Sequence, residues 1–440
     1  MTSGLTRPMT SGLTRPMTSG LTPPMIELTR RQLLRGALGA FVVAHVPLFV
    51  RPAWAGAAGR VPLLVVVFLR GGADGLALVP PLGDAGLERT RGALLARSPI
   101  ELGGSAAGRR TSVSFGLHPA FAPLAPLARD GRLAAIHAVG WPAPVRSHFE
   151  AQDLCERAGA RPGDPAEGWL ARALAAGPEP PSAFRAFAAA QARPRALAGD
   201  PRALALATPA ALRLPATSAN GSRAIAALFA APAVSERSAA ARFALAGSEM
   251  LGALAALRAH ADAPLVNQDA FPPSPFGAEL ATVARLARAD LGVAAAWVDA
   301  FGWDTHVRQG ADEGPLARSI GDLARGLSAL VAALDDRAGD LLVLVVSEFG
   351  RNAAPNGSGG TDHGRGGAAL ALGGAVRGGA VYGAWPGARR DELEDGRDLR
   401  VATDVRDVLA EGARHLGVRD LVQVFPGYAP RPLGLLRTPT

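Results

Sequence analysis

Glu348 and Arg351 follow an unbroken apolar run, Leu341 to Val346, and Asp362 and His363 come after them across a Gly-rich connection. A carboxylate at a strand exit, joined by an Asp-His pair, offers the oxygen and imidazole donors that divalent cations take. Asp304 and His306 stand two residues apart in Phe-Gly-Trp-Asp-Thr-His. In an extended segment, residues at that spacing face one way and can converge on one ion. Asp74 lies in Arg-Gly-Gly-Ala-Asp-Gly, where glycines allow a tight turn with close backbone approach. This is not a phosphate-binding loop, because the glycine spacing differs and the chain has no lysine. The structural alternatives are a surface Glu348–Arg351 pair, an Asp-Gly turn at Asp74 and turn capping by Asp362.

Ser147 precedes a helix-compatible stretch, and Glu150 three residues on matches a capping box. The same position suits a nucleophile, since amides and dipole at a helix N-terminus stabilise an alkoxide or a bound phosphate. A serine hydroxyl needs a base or a metal to lower its pKa. Metal ligands at neighbouring strand ends would meet that need, while Arg146 or Arg351 steadies negative charge on an ester.

The elements that must position these groups read as an α/β fold. Apolar runs predict strands at Val61–Leu69, Leu133–Val139, Val293–Asp299, Leu341–Val346 and Gly367–Leu372. Ligands in open α/β sheets sit beyond the carboxyl ends of strands, where every candidate residue lies. His118-Pro119 opens a short amphipathic helix, with His118 as a core or capping residue. Further helices are predicted over Phe276–Leu291, Leu316–Leu334 and Thr403–Leu416, the last capped by Thr403. A Gly-rich hairpin is expected to reach Val381-Tyr382-Gly383. Residues 160–285 are rich in Ala, Pro and Arg and predict a helical insertion, with helices at Trp169–Ala176, Ser222–Ala230 and Glu236–Ala261.

Before the first strand the sequence reads as targeting. Residues 1–24 hold a near-perfect octapeptide repeat with no hydrophobic period, expected to be disordered or an over-extended gene start ahead of Met25. Thr29-Arg30-Arg31-Gln32-Leu33-Leu34 is a twin-arginine pattern, Gly36–Val50 is too short and broken to span a bilayer, and Ala53-Trp54-Ala55 has peptidase spacing. Residues 25–55 are therefore expected to be a signal peptide cleaved after Ala55. It would use the twin-arginine translocase, leave no stable membrane span and send residues 56–440 to the periplasm or outside. The net charge of +8 comes from arginine alone and forms no stripe with aromatics, which argues against nucleic acid as a partner. Cys155 is the sole cysteine, so no intramolecular disulfide forms.

The segments FLRGGADGL, LHPAFAPL, VGWPAPVRSHFEAQD, EGWLAR, FGWDTH, VVSEFGR and GTDHGRGGAALALGG together resemble the DUF1501 family of exported bacterial proteins. That family is itself similar to the alkaline phosphatase and sulfatase superfamily. The resemblance implies an alkaline-phosphatase-like, mostly parallel sheet flanked by helices. It implies Asp74 as first-strand metal ligand, Ser147 as nucleophile, Asp304 and His306 as a ligand pair, and His363 with Asp362 at the late histidine position. Glu348-Phe349 departs from the Asp-His common in the superfamily. A second metal would then lack an imidazole unless His148 or Asp362 supplies the donor. No Cys/Ser-x-Pro-x-Arg sequence is present, which excludes a formylglycine sulfatase.

The expectation is an exported metal-dependent hydrolase of phosphate or related anionic esters, small or polymeric. Asp74, Asp304, His306, Glu348, Asp362 and His363 would hold zinc, with Mg, Mn or Ca suited to a more oxygen-rich site. The alternative is an exported binding or assembly protein that keeps the fold without catalysis.

Overall fold

The computed structural model describes residues 61–102, 113–159, 166–178, 185–206, 264–265, 267–289 and 291–437. The repeat, the twin-arginine segment and the helices expected at Ser222–Ala230 and Glu236–Ala261 lie outside the described residues.

The chain is an α/β protein whose central sheet is mixed but mostly parallel. Its described strands begin with β1 (Leu63–Leu69), β2 (Pro81–Leu82), β3 (Ile100–Glu101), β4 (Ser114–Leu117) and β5 (Leu133–Gly140). They continue with β6 (Ala186–Ala188), β7 (Ala203–Ala205), β8 (Ala295–Ala300), β9 (Leu341–Ser347), β10 (Gly367–Leu372), β11 (Ala380–Tyr382) and β12 (Thr403–Asp404). The main sheet runs β11-β5-β10-β9-β1-β8-β6-β7, with β12 also on β5 and the short β2, β4 and β3 forming a separate sheet. Among the described strands of the main sheet, only β10 runs against its neighbours, β5 and β9, and the other pairings are parallel.

Why β1 and β9 are continuously apolar follows from their place at the centre. Leu63, Val65, Val67 and Leu69 enter one core cluster and Leu64, Val66 and Phe68 the other, so both faces of β1 are covered. The described α-helices begin with α1 (Gly75–Leu78), α2 (Ala85–Arg91), α3 (Ala125–Arg129) and α4 (His148–Arg157). They are followed by α5 (Trp169–Ala176), α6 (Pro275–Arg288), α7 (Pro315–Ala333) and α8 (Val405–His415). α7 buries Leu316, Ile320, Leu323, Leu327 and Leu330 in the first cluster, and α8 buries Val405, Val408 and Leu409 in the second. Each is a helix with one apolar stripe laid on one sheet face. Among the described residues, no helix is long and apolar enough to cross a membrane.

Several expectations need correction. Within the stretch read as a helical insertion, Ala186–Ala188 and Ala203–Ala205 are strands that extend the sheet beyond β8. Alanine favours helix by propensity, but these short runs are fully or partly buried beside β8, and tertiary pairing overrides the preference. β10 and β11 do not pair as a hairpin, because β5 lies between them. The cap of α8 is Asp404, which accepts from Arg406 N, while Thr403 pairs with Val139. His118, by contrast, caps as expected, accepting from Ala120 N at the start of the short 3-10 turn of helix Pro119–Leu124.

Candidate metal centre

The single antiparallel strand explains how residues far apart in sequence meet. β1, β5, β8 and β9 end at one rim of the sheet, and β10, running the other way, begins there. The residues that follow β5, β8 and β9 and those that precede β10 therefore share an edge: His148, Asp304, Glu348 and His363.

His148, Asp304 and His363 each present a ligand atom, and these atoms lie within 4.8 Å of one another. Asp304 Oδ1 is 3.5 Å from His148 Nε2, 3.0 Å from His306 Nε2 and 3.3 Å from His363 Nε2. His306 Nε2 and His363 Nε2 face each other at 3.0 Å. Each imidazole is fixed through its other nitrogen. His148 Nδ1 meets Glu348 Oε1 at 2.8 Å, His306 Nδ1 meets Asp362 Oδ1 at 2.9 Å, and His363 Nδ1 meets the Arg146 carbonyl at 2.9 Å. In a neutral ring, donation from Nδ1 to such an acceptor leaves the lone pair on Nε2, the atom each ring turns toward Asp304. Three Nε2 atoms and a carboxylate oxygen thus converge. His148 Nε2 is buried and has no hydrogen-bond partner.

The ionisation of the cluster has consistent causes. Burial raises the Glu348 pKa, but hydrogen bonds from His148, Gln152 and the Gly71 amide outweigh it and hold the carboxylate below its ordinary range. The Glu348 hydrogen bond raises His148, while burial lowers His363 and favours its neutral form. Burial also raises Asp304, yet the Arg351 guanidinium beside it brings the net shift below the usual range. Asp362 is held low by Asn356 and then by His306.

Asp304 and His306 are brought together as expected, but by a coil of successive short bonds rather than an extended run. Thr305 N donates to Trp303 O and His306 N to Asp304 O, an i to i+2 pattern of γ-turns. Arg351, fully buried, ties this coil to the end of β1: it donates to Gly72 O at 2.6 Å, Thr361 O at 2.8 Å, Trp303 O at 3.1 Å and Asp304 Oδ1 at 2.5 Å, and also to Gly71 O. Its place is therefore beneath the cluster, with its donors already used. The approach demands glycine, since a Cβ on Gly71 would stand 2.6 Å from Asp304 N and one on Gly72 2.3 Å from the Phe349 ring. Phe349 packs against His148 and His363, each with ring centroids 4.9 Å away. Phe349 is thus a wall that supports two imidazoles.

The structure does not bring Asp74 into the cluster. Its carboxylate is fully buried, paired with Arg91 at 2.5 and 2.6 Å and accepting from Gln309 Nε2 at 2.7 Å. Gln309 Oε1 in turn accepts from Thr305 and Thr361, the residues next to Asp304 and Asp362. Asp74 thus braces the site from behind, because Arg91 neutralises it before any cation can. Glu348 and Asp362, expected as ligands, touch the outer nitrogens of His148 and His306 instead. Ser147 caps α4 without a side-chain hydrogen bond, so the capping box does not form, and its exposed hydroxyl adjoins His148 in the chain. Arg146 is partly exposed and pairs with the buried Asp398.

The residue that sequence reading undervalued is His148. The neighbouring Ser147-x-x-Glu150 pattern offered a capping explanation for the segment, and only the tertiary position of Glu348 and Asp304 brings this imidazole into the cluster.

Fold and site define an α/β protein with a His/Asp cluster on the carboxyl rim of its sheet. A family model described as "Protein of unknown function (DUF1501)" matches residues 132–438, most of the chain. The chain belongs to this family. No curated protein matches its sequence.

Proposed function

We propose that this protein is an exported metal-dependent hydrolase of phosphate or related anionic esters, built on an alkaline-phosphatase-like fold. The observation that carries this reading is the convergence of three imidazole Nε2 atoms on Asp304 Oδ1, at 3.0 to 3.5 Å, with the His148 nitrogen buried and unpartnered. Ligand atoms around a tetrahedral zinc stand roughly 3.3 Å apart, given bonds of about 2.0–2.1 Å. The donor set of His148, Asp304, His306 and His363 favours zinc over Mg, Mn or Ca, which prefer oxygen. Glu348, Asp362 and the Arg146 carbonyl would orient the rings from outside.

Bound zinc would supply Lewis-acid chemistry, activating a water or the Ser147 hydroxyl and polarising the ester oxygen. Ser147 stands where the free amides of α4 and its dipole favour an anion. Arg146 is the guanidinium left to meet the charge of the ester, while Arg351 positions Asp304. The twin-arginine pattern and the Ala53-Trp54-Ala55 site support export through the twin-arginine translocase to the periplasm or beyond, with cleavage after Ala55.

One pair of observations favours a second reading, a binding or assembly protein without turnover. Phe349 fills an imidazole position and Asp74 is locked to Arg91, so a second metal has no ligand set like that of two-metal enzymes. Zinc-loaded protein assayed on aryl phosphates, phosphodiesters and aryl sulfates decides between them. Turnover lost in Asp304→Asn, and reduced in Ser147→Ala, supports hydrolysis. Folded, zinc-bound but inert protein supports the binding reading, and folded protein that takes up no metal refutes the proposal.

A further inference from the structure

Beside the cluster, a cleft of about 860 Å³ opens between the first half of α7, the turn Pro119–Leu124 and the exit of β8. Its volume lies within the roughly 300–1,000 Å³ of small-molecule sites. It contains none of the four candidate ligands, but Trp303 lines it and Asp304 is the next residue, so cleft and cluster share a stretch of backbone. Two features there have no folding explanation. Phe301 lines the cleft yet is 71 % exposed, one of few large apolar side chains left open. Trp303 is 1 % exposed and its indole N–H has no partner, whereas a buried indole ordinarily finds one. Phe276 adds a third aromatic wall. Around them Asp312, Glu313 and Asp322 are set against Arg318 and Arg325, and Asp322 pairs with Arg325. Three carboxylates against two guanidiniums leave no excess of positive charge to hold a polyanion.

We propose that this cleft binds the non-reacting part of the ester, and that this part is a flat aryl group carrying a hydrogen-bond acceptor. The inference rests on the hydrolase reading for the anionic end of the substrate. The exposed Phe301 suits the face of a ring, with Phe276 and Trp303 packed behind it in the core, the unpartnered indole N–H suits an acceptor, and the mixed rim disfavours a polymer of repeated anions. A small-alkyl ester would leave the cleft unused.

Two measurements on the full chain separate the cleft from the chemistry: equilibrium binding of naphthol, which has no ester and no anion, and kcat/KM for naphthyl and methyl phosphate with zinc present. The variant Ala122→Trp fills the cleft from an exposed position outside the core, and Phe301→Ala removes an exposed wall. Naphthol is expected to bind and to compete with naphthyl phosphate. Ala122→Trp should weaken naphthol and naphthyl phosphate about tenfold or more, and Phe301→Ala by about threefold to tenfold, with methyl phosphate turnover unchanged. Failure of naphthol to bind, or equal binding by wild type and Ala122→Trp, overturns the cleft whatever the turnover. Naphthol binding that Ala122→Trp abolishes, with neither phosphate hydrolysed, upholds the cleft and overturns the hydrolase reading.

Discussion

Replacing Glu348 by glutamine alters the cluster without removing any of its four candidate ligands. Glu348 Oε1 accepts from Gly71 N at 2.8 Å, His148 Nδ1 at 2.8 Å and Gln152 Nε2 at 2.9 Å, and its carboxylate is buried. Glutamine keeps the shape and one acceptor oxygen but loses the charge that strengthens the bond to the ring. Charge-assisted hydrogen bonds are about twice as strong as neutral ones, and loss of an outer partner of a metal-binding histidine costs about 10- to 100-fold in affinity. The expected loss in zinc affinity is therefore about 1.4–2.7 kcal/mol. Competition against a chromophoric chelator reads it, with circular dichroism to confirm the fold and His363→Ala as a direct ligand loss for scale. An unchanged affinity in folded Glu348→Gln would refute the role given to Glu348. A loss as large as that of His363→Ala would make Glu348 a ligand itself, as its place in the sequence first suggested.

Three further outcomes follow from the same network. Arg91→Leu leaves the Asp74 carboxylate buried with only Gln309 and the Ala77 amide and should destabilise the chain by about 3–5 kcal/mol in denaturant unfolding; a loss below about 1 kcal/mol would mean that Asp74 is not held by this pair. Gly72→Ala sets a Cβ 2.3 Å from the Phe349 ring at φ +64°, so both unfolding midpoint and zinc affinity should fall, whereas unchanged values would remove the supporting wall from the account. His137 is buried between Val79 O and Ala138 N, and burial lowers its pKa from an ordinary 6.5 to about 4. The unfolded chain thus binds a proton that the folded chain refuses. Stability should fall as pH drops from about 6.5 to about 4, by about 3 kcal/mol in all, and His137→Phe should lose that part of the profile.

The sheet was legible wherever burial was complete. The runs ending at Leu69 and Val346 are apolar at every position because two cores take alternate side chains, and such a run reads as a strand without knowledge of its neighbours. Ala186–Ala188 and Ala203–Ala205 were not legible, since alanine carries a helical preference and only the edge of β8 makes these residues strands. At the site, the spacing of Asp304 and His306 was informative because both belong to one short coil. The antiparallel return of β10 likewise let Asp362 and His363 be placed on the rim of β9. The division between groups that face the centre of the cluster and groups that hold the rings was hidden. Asp74 and Glu348 are both acidic residues at strand exits. One is neutralised by an arginine on α2 and the other is taken by an imidazole on α4, and neither partner is marked by sequence distance.

The central claim is that His148, Asp304, His306 and His363 form one cation site. Anomalous diffraction at the zinc edge from crystals of zinc-loaded protein tests it most directly. A single strong peak bonded to Asp304 Oδ1 and the histidine Nε2 atoms, with Glu348, Asp362 and Asp74 outside bonding distance, is the predicted result. A peak coordinated by Asp74 or Glu348, or no peak at the rim of the sheet, would contradict it.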